Sequence, residues 1–299
     1  MQQPPYHRFD EFIAPEADRL ALLTSILREM GIVFSIAEIA GNRHVLVYPE
    51  WGQGARKSPA STWQTDVVLS AHYDRVPGSP GANDNSAAVF QLIETAVKLR
   101  EQRAERWLII FTDKEELARG ERVQEQGSYT LAKNLREAGL GNSWFFIFDA
   151  CGAGDTLIIS TMVDHLIKDE HGPGIVSAKR RVQQLRTRAL ETARKLGMDR
   201  ILLTAAPFSD DAGFLRAGIA AQTITVLPAA EAARLVSLLR NKPECINALI
   251  SREAQEHQDR LRIPETWRSL NGPGDGIDRL TPENYKQVVR FACALCGGD

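Results

Sequence analysis

The sequence predicts an α/β fold, a single-domain α/β/α sandwich over residues 1–299 built on a central mixed sheet that is mostly parallel. Two patterns carry that reading. From Asp66 onward, short apolar runs alternate with amphipathic stretches, the order expected of strands joined by covering helices. With 43% hydrophobic and 25% charged residues and no internal repeat, the 299 residues suffice for one large core and exclude a fibrous or disordered chain.

Taken in order, residues 15–30 carry Ala17, Leu20, Leu22, Leu23, Ile26 and Leu27 near helical spacing. Val33 to Ile36 and His44 to Tyr48 read as two strands around a turn at Gly41-Asn42, and Glu50 to Thr65 as a polar loop. Val67 to Ser70 is a buried strand, followed by a helical stripe of Ala88, Val89, Leu92, Ile93, Ala96 and Val97. Trp107 to Phe111, Trp144 to Phe148, Leu157 to Ile159 and Gln222 to Val226 are further strands, with a helix through Tyr129, Leu131, Ala132 and Leu135. Ala178, Val182, Leu185, Ala189, Ala193 and Leu196 mark a long helix whose Lys and Arg residues read as a solvated face. Thr281-Pro282 starts the last helix as cap and first-turn proline.

Thirty-six Lys and Arg against 38 Asp and Glu give a formal charge of −2, with no basic excess to neutralise phosphates. No run approaches the length of about 18 apolar residues needed to span a membrane, and Met1 to Tyr6 lacks the basic and apolar regions of a secretory signal. Cys293-Ala294-Leu295-Cys296 is formally C-x-x-C but lies in an apolar helical tail without a second pair, so it reads as packing. The expectation is a reduced, cytoplasmic protein with neither a nucleic-acid nor a membrane partner.

In open α/β sheets, function gathers at the carboxyl ends of the strands. Here those ends read His72-Tyr73-Asp74, then Gly81-Ala82-Asn83-Asp84-Asn85-Ser86, then Asp113-Lys114-Glu115-Glu116, then Asp149-Ala150-Cys151-Gly152. An imidazole and several carboxylates on one sheet edge suit metal-assisted hydrolysis. His72, Asp84 and Asp149 offer one nitrogen and two oxygens, leaving a position for water. Asp74, two residues from His72 on an extended backbone, would fix the imidazole tautomer. Of Glu115 and Glu116, one can bind metal while the other takes a proton from water.

These segments resemble the M28 zinc aminopeptidases, a cocatalytic metallopeptidase family with a zinc-exopeptidase fold. Leu69 to Asp74, Gly81 to Ala88, Glu115-Glu116-Leu117 and Phe148-Asp149 carry the resemblance, with Gly127-Ser128-Tyr129 as the helix start after a longer loop. The resemblance implies that Asp84 bridges two metals, that His72 and Asp149 complete one site, and that Glu116 and a C-terminal histidine complete the other. It also implies Glu115 as general base, Asp74 as the residue orienting His72, and a peptide or small aminoacyl amide as substrate.

The sequence departs from the family at two places. Asp211, in Ser209-Asp210-Asp211-Ala212-Gly213-Phe214, replaces a family histidine, and Asn271 stands at the C-terminal ligand position. Asp84, Glu116 and Asn271 would form an all-oxygen set better suited to Mn, Mg or Ca than to zinc. His257, 14 residues earlier, is a substitute donor, although the polar run from Arg252 to Arg262 reads as surface. The expectation is therefore one zinc site, with the second open and of the Mn or Mg kind. Two other classes compete: a binding or regulatory protein on a degenerate peptidase scaffold, and an aminoacyltransferase of the glutaminyl cyclase type. Specificity is assigned to loops at 152–176 and 204–216, and Leu117 to Gln126 to a solvated loop.

Overall fold

The computed structural model describes residues 8–50, 65–118, 120–168, 172–250 and 263–298. Its strands are β1 (Phe34–Ile39), β2 (Asn42–Val47), β3 (Val67–His72), β4 (Trp107–Thr112), β5 (Trp144–Phe148), β6 (Thr156–Ser160), β7 (Ile201–Thr204) and β8 (Ala221–Leu227). The helices are α1 (Phe9–Ile13), α2 (Arg19–Glu29), α3 (Ala87–Glu101), α4 (Gly127–Glu137), α5 (Met162–Leu166), α6 (Pro173–Lys195), α7 (Asp210–Arg216), α8 (Ala229–Asn241), α9 (Asn247–Ile250), α10 (Glu265–Arg268) and α11 (Pro282–Leu295).

The strands form one sheet in the order β1-β2-β4-β3-β5-β8-β6-β7. The centre, β4-β3-β5-β8, is wholly parallel, while β1, β2 and the β6–β8 pairing are antiparallel. Alternation along each central strand sorts side chains to the two faces. Leu69, Trp107, Ile109, Phe146 and Phe148 pack in the larger core, together with residues of α3, α6 and α11. Val68, Leu108, Ile110, Phe145 and Ile147 pack with residues of α4 and α7. Both faces being covered, β3 and β4 are buried at every residue, which is why their sequences read as unbroken apolar runs.

The β1–β2 hairpin turns through Ala40 and Gly41, both at positive φ, which matches the twist of antiparallel strands. The region assigned to long specificity loops is more ordered than the sequence suggests: 152–176 contains β6, α5 and the start of α6, and 204–216 contains α7. The strand β7 also escapes the sequence patterns, because four residues on a sheet edge give too short a run. On α6, Arg186 breaks the expected solvated face: it is buried and pairs with Asp164 at 2.8 Å. Cys293 lies buried on α11 and both it and Cys296 are free thiols; burial pushes Cys293 up to about 11. The N-terminal Met1 to Tyr6, most of the Glu50 to Thr65 loop, and His257 lie outside the described residues. Among the described residues, no helix is long and apolar enough to cross a membrane.

Candidate metal centre

The parallel centre brings the strand ends together as its topology requires. His72 closes β3, and its Nε2 lies 3.0 Å from Asp84 Oδ1 and 3.6 Å from Asp149 Oδ1. Ligand atoms of His72, Asp84 and Asp149 all fall within 4.8 Å of one another, as do those of His72, Glu115 and Glu116. The other face of the imidazole meets Asp74, with Nδ1 at 3.4 Å from Oδ1 and 3.3 Å from the main-chain oxygen. Against the opposing effect of burial, three carboxylates around the ring hold its pKa well above the ordinary value. Nδ1 faces Asp74 and Nε2 faces Asp84 and Asp149, where a cation would replace the Nε2 proton.

Asp74 also reaches across to the next strand end. Its Oδ1 and Oδ2 accept the backbone N–H groups of Glu115 and Glu116 at 3.2 and 3.0 Å, which fixes the glutamate pair relative to His72. Burial opposes the charge on Asp74, but His72 and these two amides outweigh it and hold its pKa below the ordinary value. Glu115 has the reverse balance: burial first, then the charge of Glu116, raise it well above the ordinary range. Gln126 Nε2 donates to Glu115 Oε1 at 3.0 Å and to its carbonyl at 3.3 Å. The end of the loop read as solvated is thus buried in the site, although Arg122, Gln124 and Glu125 before it are exposed; Arg119 lies outside the described residues. Gly127 follows because a Cβ there would lie 2.0 Å from the Asp113 carbonyl.

Asp84 sits in a turn rather than a strand. Gly81 enters it at φ +62, where a Cβ would fall 2.7 Å from the Asp84 carbonyl and 2.9 Å from Arg19 Nη2. The flanking asparagines explain the Asn83-Asp84-Asn85 motif: Asn85 Nδ2 donates to Phe148 O at 2.8 Å, and Asn83 Oδ1 accepts from Gly152 N at 2.7 Å. These bonds tie the Asp84 turn to the segment carrying Asp149. Asp275 holds the opposite side, its carboxylate accepting Asn83 N and Asp84 N at 2.9 and 3.0 Å. Burial, then the charge of Asp84, push Asp275 up to about 6.

Arg19 of α2 completes the frame and was not singled out in the sequence, where it is one of many basic residues on a helix. It is 6% exposed and donates to six acceptors: Phe12 O, Tyr73 O, Asp74 O, Pro80 O, Gly81 O and Ser86 Oγ, at 2.8–3.3 Å. Burial, then Arg75, pull its pKa down to about 9, against the support of Asp74, Asp84 and Asp275, so it stays charged at neutral pH. Asp210 is a second missed neighbour, buried and bonded to Thr112 Oγ1 at 2.5 Å. Asp211, at the family's histidine position, is buried, accepts Ser209 N at 3.0 Å, and is pushed by burial up to about 6. Asn271, on the loop before Asp275, sets its side-chain amide against Asp84 and Glu116.

The residues at the His72 pole fit a cation. His72 Nε2 and Asp149 Oδ1 are both buried and lie 3.6 Å apart, with Asp84 Oδ1 3.0 Å from the same nitrogen. One imidazole nitrogen and two carboxylate oxygens form a donor set that zinc accepts.

The sequence profile of peptidase family M28 matches residues 54–289. A zinc aminopeptidase from Bacillus subtilis is similar at 21% identity and a TM-score of 0.53, over 85% of this chain and 48% of that one. The chain thus spans about half the length of that enzyme. The LapA aminopeptidase of Legionella pneumophila matches at 13% identity and a TM-score of 0.62, over 99% of this chain and 71% of that one. A glutaminyl cyclase from Bacteroides thetaiotaomicron matches at 18% identity and a TM-score of 0.61, over 99% of this chain and 97% of that one. No curated protein sequence matches the chain.

Proposed function

The chain belongs to peptidase family M28, and from that premise we propose that it is a metal-dependent hydrolase that releases N-terminal residues from peptides or cleaves small aminoacyl amides. The observation that carries the reading is the meeting of His72 Nε2, Asp84 Oδ1 and Asp149 Oδ1 in one buried cluster, beside a second carboxylate pair. His72, Asp84 and Asp149 would hold one divalent, zinc-type cation. Such an ion, when bound, acts as a Lewis acid and makes water acidic near neutral pH.

This chain's own residues supply the rest. Glu115, buried beside Glu116, would take the proton from the attacking water and return it to the leaving amine, the cation's charge keeping its carboxylate ionised. Gln126 fixes which way its carboxylate points. Asp74 accepts from His72 Nδ1 and holds the imidazole with Nε2 toward the cation. His44 stays neutral beneath the site, burial lowering it to about 4, with Nδ1 accepting Asp113 N at 3.2 Å.

The test is turnover of a panel of aminoacyl 4-nitroanilides by protein dialysed against Zn, Mn or Co, with an N-terminal glutaminyl peptide run in parallel. Release of nitroaniline that Glu115→Gln reduces by about 10²- to 10⁴-fold supports the hydrolase. Pyroglutamate formation alone would favour the cyclase chemistry. A protein that binds metal but turns over neither substrate would favour the binding-protein reading.

A further inference from the structure

The two oxygens of Asp84 face different neighbours. Oδ1 points to His72 Nε2 at 3.0 Å, whereas Oδ2 points to the side chain of Asn271. With its nitrogen turned inward, the Asn271 amide donates to Asp84 Oδ2 at 3.2 Å and to Glu116 Oε1 and Oε2 at 2.5 and 3.2 Å. The opposite orientation sets an amide oxygen against carboxylate oxygens, an arrangement that only a cation between them would relieve.

The family resemblance implies a second metal between Asp84 and Glu116, and the residues here do not fit one. With the nitrogen inward, the amide satisfies both carboxylates by itself, and the set lacks the imidazole that zinc would take. The backbone that carries the amide is fixed. Asn271 sits at φ 62, a left-handed conformation that asparagine tolerates better than most side chains. Its loop is pinned just beyond: Ser79 Oγ and Asp275 N both donate to Gly272 O at 3.1 Å, and the Asp275 carboxylate holds the Asp84 turn.

We infer that the Asn271 carboxamide stands in the place of a second cation, and that the centre takes one divalent ion, at His72, Asp84 and Asp149. The inference rests on the metal-dependent reading above and narrows it to a single ion. The two N–H groups satisfy by hydrogen bonding the oxygens that a second ion would hold by charge, and Glu116 becomes a partner of Asn271 instead of a ligand.

Metal content after dialysis against Zn(II) or Mn(II), with electron paramagnetic resonance of the Mn(II) form, tests it without reference to activity. The unaltered protein should hold one ion per chain and show the hyperfine pattern of an isolated Mn(II). His72→Ala should lose that ion, Asn271→Ala should keep it, and Asn271→His should take up a second, spin-coupled to the first. Two ions per chain in the unaltered protein would overturn the inference and leave the hydrolase standing. So would a single ion that survives His72→Ala and disappears in Asn271→Ala. No ion at all would overturn both. If Asn271→His fails to fold, the unaltered count and the two alanine variants still decide.

Discussion

The central strands and the segments wrapped around them contribute different things to the site. The ends of β3, β4 and β5 supply its charges: His72, Glu115, Glu116 and Asp149. The wrapping segments supply restraint: Arg19 comes from α2, before the sheet centre begins, while Asn271 and Asp275 come from a loop close to α11. The Asp84 turn is where they meet, with Arg19 on its Pro80 and Gly81 carbonyls and Asp275 on its Asn83 and Asp84 amides. A cluster of buried carboxylates repels itself, so the groups that do chemistry destabilise the fold and the groups that hold them must offset that cost.

That division can be broken by substitutions on either side. The largest effect is expected at the strand ends. Glu115→Gln should leave metal content unchanged while turnover falls as stated above, and the melting temperature of the metal-free protein should rise, because a buried acid beside Glu116 is gone. A fall in melting temperature would show that Glu115 is structural and would dissolve the contrast.

Arg19→Met should do the opposite. Six acceptors lose a donor, of which Pro80 O keeps Arg75, Gly81 O keeps Ser86 and Asp74 O keeps His72. A buried acceptor without a partner costs about 1–3 kcal/mol, so a net loss of roughly 3–5 kcal/mol is expected in denaturant unfolding. Metal affinity should drop about 10- to 100-fold, as for other groups that orient ligand-bearing segments. An unchanged metal affinity in a folded Arg19→Met protein would place Arg19 outside the site's frame.

The smallest effect sharpens the comparison through pH. Asp211 is raised from 3.8 to about 6 by burial, so the folded chain retains a proton that the unfolded chain has released. Stability therefore falls as pH rises from about 4 to 6, and the deficit is complete above that window. Asp211→Asn should be neutral near pH 4 and should stabilise the metal-free protein by on the order of 2–3 kcal/mol at pH 8. Equal stabilisation at both values would assign the effect to packing.

Much of this was legible without coordinates, for identifiable reasons. Strands buried on both faces show themselves as unbroken apolar runs, and parallel topology forces their carboxyl ends to one edge, so His72, Asp74, Asp84, Glu115, Glu116 and Asp149 emerge from order alone. Short or marginal elements did not emerge: β7 has four residues, and α8 buries little beyond Ala232 and Leu235. Gln126 was hidden at the end of a polar loop, and Arg19 among surface-like basic residues, because burial of a polar side chain depends on what packs over it.

The sequence by itself determined the fold class, the family and the identity of the charged groups, since hydrophobic period and local motifs are properties of neighbouring residues. Tertiary structure alone decided which groups restrain them. Arg19 lies 65 residues before Asp84 and Asp275 lies 191 beyond it; their bonds to one turn follow from packing between distant segments, which no local pattern encodes. The same holds for Asn271. In the sequence it is a missing histidine, and only the fold places its amide between two carboxylates.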